Sequence, residues 1–297
     1  MRPSERAEAG RVWCLGSINA DHIYRLAQLP RKGETVAALS CRTMLGGKGA
    51  NQSIAAARAG AEVRHLGAVG QDGAWLRAAL AASGVDTGAV AKEDGVSGHA
   101  LVLVSEAGEK AIVIHPGANR RLDQAKITDA LAEIAPEDWL LLQNETNLQV
   151  EAARLARAAG ALVAYSAAPF ETGALRAVLP FVTLLILNAV EAAQLESTLG
   201  PVEVPQMLVT RDAEGAVWHD RKTGETVPVP AFSVPVRDTT GAGDCFAGYV
   251  VAALAMGRPV SEALRLASAA AALQVTRDGA SEAIPTMAET RAFLAQE

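Results

Sequence analysis

The chain has 297 residues, of which 50% are hydrophobic, 20% charged and 4% aromatic, with a formal net charge of −6. Such a chain builds a full core and is not a disordered one, and its acidic balance argues against a nucleic-acid surface, though not against a phosphorylated ligand held by a local turn. Three widely spaced cysteines (Cys14, Cys41, Cys245) and five histidines without ligand spacing give neither a disulfide framework nor a metal cluster.

These features predict a reducing, cytoplasmic setting. No apolar run reaches the roughly 18 residues a membrane span needs. Met1 to Gly10 is polar and reads as a flexible tail rather than a signal peptide, leaving residues 11–297 for one α/β domain. In that domain Arg11 to Ile18 predicts a strand running into a polar loop at Asn19-Ala20-Asp21, and Thr35 to Met44 a second strand-like piece. Gly46-Gly47-Lys48-Gly49-Ala50-Asn51 then opens an Ala-rich helix, Gln52 to Ala59, that stops at Gly60. Val63 to Val69 predicts a strand, and Gly73 to Ser83 a helix closed by Gly84. Ala100 to Ser105 and Lys110 to His115 alternate around a turn and predict a hairpin. Trp139 to Gln143, Leu162 to Tyr165, Val182 to Leu187 and Met207 to Thr210 predict buried strands. Helices are predicted at Glu151 to Ala159, Phe246 to Met256 and Ser261 to Val275. Alternating strands and helices predict a parallel sheet with helices on both faces; residues 35–44 and 100–115 break the rhythm and suit a small separate antiparallel sheet.

Ligands of open parallel sheets sit beyond the C-terminal strand ends, where Asn19, Asp21, Glu145, Asn188 and Thr210 all fall. The stretch Asp238 to Phe246, D-T-T-G-A-G-D-C-F, reads as a glycine turn opening a helix. Free amides and the helix dipole there suit an anion, and Asp244 suits a general base for a hydroxyl attacking a phosphate; a plain helix cap fits the same residues. Asn19 and Asp21, one residue apart, would face the same side of an extended segment and suit vicinal sugar hydroxyls, or else an Asx turn. Three glycines around Lys48 allow close backbone approach, yet the segment is neither a Walker A loop nor G-x-G-x-x-G; a solvated lysine is the alternative. Glu145 is a second carboxylate candidate or a surface residue. Asn188 and Glu191, one helical turn apart, could order a hydrated Mg²⁺ or simply cap a helix.

G-G-K-G-A-N at 46–51 and D-T-T-G-A-G-D at 238–244 resemble the two signature segments of the ribokinase-like (PfkB) carbohydrate kinases. L-G-S-I-N-A-D-H-I at 15–23, P-R-K-G-E-T at 30–35, I-H-P-G-A-N at 114–119 and V-T-R-D-G-A at 275–280 extend the resemblance and point to its ribose-kinase branch. The resemblance implies a three-layer α/β sandwich with a mostly parallel central sheet and a small β-sheet lid, formed by about 31–45 and 98–116. It implies transfer of the γ-phosphoryl group of ATP to the 5-hydroxyl of D-ribose. Another sugar, a nucleoside, or sugar binding without catalysis are the alternatives. Asn19, Asp21, Gly47, Lys48, Gly49, Ala50, Asn51 and Glu145 would hold the sugar. Asp244 would be the base, and Gly241, Ala242 and Gly243 the anion hole. Asn188, Thr210, Arg211, Asp212, Ala213, Glu214, Gly215, Gly243 and Ser268 would line the nucleotide, and Glu191 would meet Mg²⁺ through water. A monovalent cation such as K⁺ would sit by Asp238, Thr240, Gln274, Arg277, Gly279 and Ala283, mostly on backbone carbonyls. The lid would also pair two copies into a homodimer.

The pattern departs from the family on the nucleotide side. Ser166-Ala167-Ala168-Pro169 stands where N-P-A-P is usual, Asp212 where glycine is usual, and Ser268 where histidine is frequent. The stretch from Glu191 to Thr210 is short, and Pro201 and Pro205 predict that no full helix precedes the nucleotide-loop strand.

Overall fold

Alternation along single strands separates the two faces of the core. In strand β1 (Val12–Leu15), Val12 and Cys14 belong to one buried apolar cluster and Trp13 and Leu15 to another. Strands buried on both faces read as continuous apolar runs, as Trp139–Gln143 does. The computed structural model describes residues 9–297, so residues 1–8 of the tail expected at 1–10 lie outside the described residues; its end at Gly10 is anchored, the amide donating to the Ala255 carbonyl at 2.9 Å.

Nine strands form the central sheet: β1, β4 (Val63–Val69), β5 (Val90–Lys92), β8 (Trp139–Gln143), β9 (Leu162–Ser166), β10 (Leu184–Asn188), β11 (Gln206–Thr210), β12 (Ala216–Asp220) and β13 (Thr226–Val229). Their order is β13-β12-β11-β10-β9-β8-β1-β4-β5. All neighbours run parallel except β11–β12 and β12–β13, an antiparallel edge. Helices α1 (Lys48–Arg58), α2 (Ala74–Ala82), α7 (Ala242–Ala255) and α8 (Val260–Val275) cover one face. Helices α3 (Gln124–Leu131), α4 (Gln149–Ala158), α5 (Thr172–Val178) and α6 (Ala189–Leu199) cover the other, and α9 (Met287–Leu294) closes the chain. The expected three-layer α/β sandwich is therefore present.

The lid differs from its expectation in one strand. Strands β2 (Asn19–Leu26), β3 (Ser40–Gly46), β6 (Gly98–Ser105) and β7 (Lys110–His115) form a second sheet in the order β3-β2-β6-β7. The predicted polar loop at Asn19 to Asp21 is the start of β2, and because β2 and β6 run parallel the sheet is mixed rather than purely antiparallel. Polar residues line β2 because one of its faces serves a cleft and the other is partly exposed, so no apolar alternation marks it. The strand predicted at 35–44 lies at 40–46. The region before β11 also needs correction. Helix α6 fills 189–199 and ends at Gly200, just ahead of Pro201; residues 200–205 then join β11 directly, with no second helix.

Helices α1 and α7 touch closely. A Cβ placed on Gly248 would come within 2.5 Å of the Gln52 carbonyl and 2.6 Å of the Ala55 Cβ. The N-terminal turns of both helices therefore open side by side above the strand ends. Among the described residues no helix is long and apolar enough to cross a membrane.

Candidate active site

A cavity of about 150 Å³ lies at these helix openings, lined by Lys48, Ser166, Ala168, Asn188, Glu191, Thr210, Gly241, Gly243 and Asp244, among others. Gly241 is the N-cap of α7 at φ 76, a left-handed conformation that favours glycine. Ala242 donates to Thr239 and Cys245 to Gly241, whereas the Gly243 and Asp244 amides have no backbone acceptor among the described residues. A Cβ built on Gly243 meets nothing within 4 Å, so this face of the helix opening is kept clear.

Asp244 is 8% exposed, and both of its oxygens are held. Asn51 Nδ2 donates to Oδ2 at 3.0 Å, and Gln52 Nε2 donates to Oδ1 at 2.9 Å. Gln143 Nε2 donates in turn to Gln52 Oε1 at 2.7 Å, which fixes which end of the Gln52 amide faces Asp244. Asn51 Oδ1 is buried without a partner among the described residues. Lys48 completes the charge pattern. Asp244 beside it, opposed by burial and helped by Glu145 and Glu191, holds its ammonium above the ordinary lysine pKa. Glu191 is raised above the ordinary carboxylate value, chiefly by burial.

Glycines bring the sugar-side residues together. Gly47 caps α1 at φ 94, and a Cβ on Gly49 would lie 2.5 Å from Gly16, so α1 packs directly on the loop after β1. The amide of Lys48 donates to Glu145 Oε2 at 3.2 Å, Ser17 Oγ donates to the same oxygen, and the Gly49 amide donates to Ser17 Oγ at 3.3 Å. Ala50 is fully buried at the foot of α1, its amide on the Ser17 carbonyl. Asn19 Oδ1 accepts from Asn119 Nδ2 at 2.7 Å. Asn19 and Asp21 are the first and third residues of β2 and share one face of the lid. Asp21 lies over Gly46, where a Cβ would meet its Oδ2 at 1.9 Å.

Burial, then Glu145, then Asp244 push the Asp21 carboxyl up to about 7 from an ordinary 3.8. The folded protein thus keeps a proton that the unfolded chain has already released. Its stability is expected to fall as pH rises from 3.8 to about 7, by roughly 4 kcal/mol at most, and then level off. Urea unfolding across that window reads the slope, and Asp21→Asn is expected to flatten it; an unchanged slope in the variant would assign it to another group.

The nucleotide-side residues divide. Thr210 and Asn188 reach the cavity, but Asn188 Oδ1 accepts from the Glu191 amide at 2.8 Å and Glu191 Oε2 from the Asn188 amide at 2.9 Å, so the pair also caps α6. Arg211, Asp212, Ala213 and Glu214 are exposed on a short turn beyond β11 and do not line the cavity. Gly215 closes that turn at φ 94. Asp212 has φ 47, which explains why glycine is usual there; aspartate tolerates this region better than most residues, so the turn keeps its shape. Ser268 is spent on the Pro230 carbonyl at 2.9 Å and lies outside the cavity. A larger apolar cavity of about 320 Å³ between Val227–Pro230, Phe232 and α8 has Arg265 as its one charged lining residue and offers nothing for phosphoryl chemistry.

Gln52, Gln143, Ser17 and Asn119 belong to the site although sequence reasoning passed over them. Gln52 directly follows G-G-K-G-A-N, and Asn119 closes I-H-P-G-A-N, so adjacency to the quoted segments was the available signal.

The glycine-opened helix α7 thus carries a buried carboxylate, Asp244, beside Lys48. The model of the pfkB family carbohydrate kinases matches residues 9–287. The chain belongs to that family. The kinase is 37% identical over 300 residues to the ribokinase of Haemophilus influenzae, covering 94% of this chain and 97% of that one. Its fold superposes on the ribokinase of Thermotoga maritima with a TM-score of 0.87 at 29% identity, covering 96% and 99% of the two chains. The ribokinase of Arabidopsis thaliana, solved with ribose and ATP, gives the same TM-score at 26% identity and the same coverages.

Two ions accompany the family resemblance. Among the described residues no three His, Cys, Asp or Glu side chains come together to hold a metal. A Mg²⁺ carried by nucleotide phosphates needs no such cage, and Glu191, with one carboxylate oxygen outside its capping bond, fits contact through water. The monovalent cation fits less well. Asp238 already accepts from the Thr240 amide, the Thr240 hydroxyl and the Gly279 amide, which together with Lys110 hold its pKa below the ordinary value against burial. The Thr240, Gln274 and Ala283 carbonyls also accept protein donors. Four of the six expected ligand groups already accept a protein donor; among the described residues the Arg277 and Gly279 carbonyls do not.

Proposed function

We propose that the kinase transfers the γ-phosphoryl group of ATP to the 5-hydroxyl of D-ribose, with Asp244 as the general base. The observation that carries the reading is the position of Asp244: buried, held on both oxygens by side-chain amides, and set beside the open face of Gly243. In this reading Asn19, Asp21, Asn51 and Glu145 grip the sugar hydroxyls, with Gly47, Gly49 and Ala50 shaping the floor. The sugar positions its hydroxyl against Asp244, which takes the proton as oxygen attacks phosphorus. The turn at 241–243, through the Gly243 amide, and Lys48 stabilise charge on the transferring group, the effect phosphoryl transfer depends on most. Thr210 and Asn188 line the nucleotide's end of the cavity, and Glu191 would hold Mg²⁺ through water, an ion that would neutralise phosphate charge when bound. The likeness to ribokinases across nearly the whole chain supports ribose as acceptor.

A coupled assay of ATP consumption over D-ribose, deoxyribose, fructose and adenosine tests the assignment. Ribose is expected to give the highest kcat/KM; a higher value for any of the other three would overturn the acceptor. The lid is proposed to pair two kinase molecules, since Ile112, Val113 and Ile114 of edge strand β7 are 57%, 64% and 57% exposed. Ile112→Lys is expected to halve the mass seen by light scattering, and an unchanged mass would place any contact elsewhere.

A further inference from the structure

The side chain of Gln274 reaches the Thr240 carbonyl, one of the groups expected to hold the cation. It is fully buried near the end of α8. Its Nε2 donates to the Thr240 carbonyl at 3.0 Å and to the Ala280 carbonyl at 3.4 Å. Thr240 immediately precedes Gly241, the cap of α7, and a Cβ on Gly241 would lie 3.1 Å from that same nitrogen. One amide thus ties the anion-binding turn to the loop after α8. Its Oε1 is buried and unpartnered among the described residues. Turning the amide over would press that oxygen against two carbonyls, so hydrogen bonding fixes the orientation. Around it, Arg277 Nη1 donates to the Ala283 carbonyl at 3.4 Å, and Lys110 Nζ stands 3.8 Å from Asp238 Oδ1. The carbonyl-rich pocket already holds donors and positive charge.

We propose that Gln274 is a positioning residue that takes the place of a bound monovalent cation, setting the anion-binding turn of α7 so that the kinase works without K⁺. This rests on the kinase reading above. An ion bridging carbonyls and an amide NH₂ bridging carbonyls do the same mechanical work. The amide does it permanently, without the desolvation of an ion at each assembly. Removing the amide should leave the Thr240 and Ala280 carbonyls free, and a cation could then serve them.

The test compares the wild type with Gln274→Met, which keeps the side-chain volume and removes the donor, and with Gln274→Ala. Each is measured in potassium chloride and in tetramethylammonium chloride at equal ionic strength. Two readouts are taken: kcat with ATP and ribose, and the thermal midpoint of the protein alone. The wild type is expected to show the same midpoint in both salts and less than about twofold change in kcat. Gln274→Met is expected to lose about tenfold or more in kcat without K⁺, with KM for ribose little changed, and to regain both rate and midpoint with K⁺. A wild-type midpoint raised by K⁺, or K⁺ activation of the wild type by about tenfold, overturns the proposal, because the amide would then be turning to serve an ion. A Gln274→Met variant with full activity in both salts overturns it as well. Should no phosphoryl transfer to ribose be found, the acceptor reading fails, while the wild-type midpoint still decides the cation question. If neither variant folds, the two wild-type measurements decide it.

Discussion

Asp244→Asn is expected to lower kcat by about 10³-fold while leaving a folded protein that still binds sugar. The size follows from what is lost. A hydroxyl attacking phosphorus must shed its proton, and Asp244 is the carboxylate set at the opening of α7. The variant also meets a donor problem. Both carboxylate oxygens accept amide N–H groups, and the Gln52 amide cannot turn because Gln143 occupies its oxygen. The new asparagine can satisfy one of the two donors and must set its own NH₂ against the other, a buried mismatch worth ~1–3 kcal/mol. A lower thermal midpoint together with a lost kcat is the expected pair; near-normal kcat would remove Asp244 from the role of base.

Gly243→Ala is expected to separate activity from stability in the opposite sense. Gly243 is the second residue of α7, and an added Cβ touches nothing in the protein. Alanine there should stabilise the helix by ~0.5–1 kcal/mol. The same methyl projects into the space that phosphate must enter beside the free amides, and kcat is expected to fall about 10²-fold. Urea unfolding and steady-state rates on one preparation check both halves. A variant that is more stable and fully active would mean that the phosphoryl group does not pass over Gly243.

Much of this architecture was legible in the residues. Buried parallel strands announce themselves through continuous apolar runs, and Gly60, Gly84 and Gly160 stop helices where their positive φ values are observed. Strand β2 was not legible, because Asn19, Asp21, His22 and Arg25 are polar for reasons of the cleft and the surface rather than of a loop. Strands β12 and β13 were not predicted either: Pro228 sits in the edge strand, and proline is tolerated only at an edge, which no local pattern reveals. Helix α6 was underestimated because Pro201 and Pro205 weighed against it, although Gly200 ends the helix before either matters. In the site, short motifs marked the residues whose backbone needs glycine or whose charge stands out. Gln52 and Gln143 act through orientation alone, and a neutral amide inside an apolar helix or strand looks the same in sequence whatever it holds.

The bond between Asn51 and Asp244 joins residues 193 positions apart. A chain emerging from the ribosome therefore has no complete pocket until α7 has been made, and the close contact at Gly248 cannot form before then. Ligand cannot assist the folding of the N-terminal half, because mass action stabilises only a state that binds. Its full effect on folding arrives with the last third of the chain.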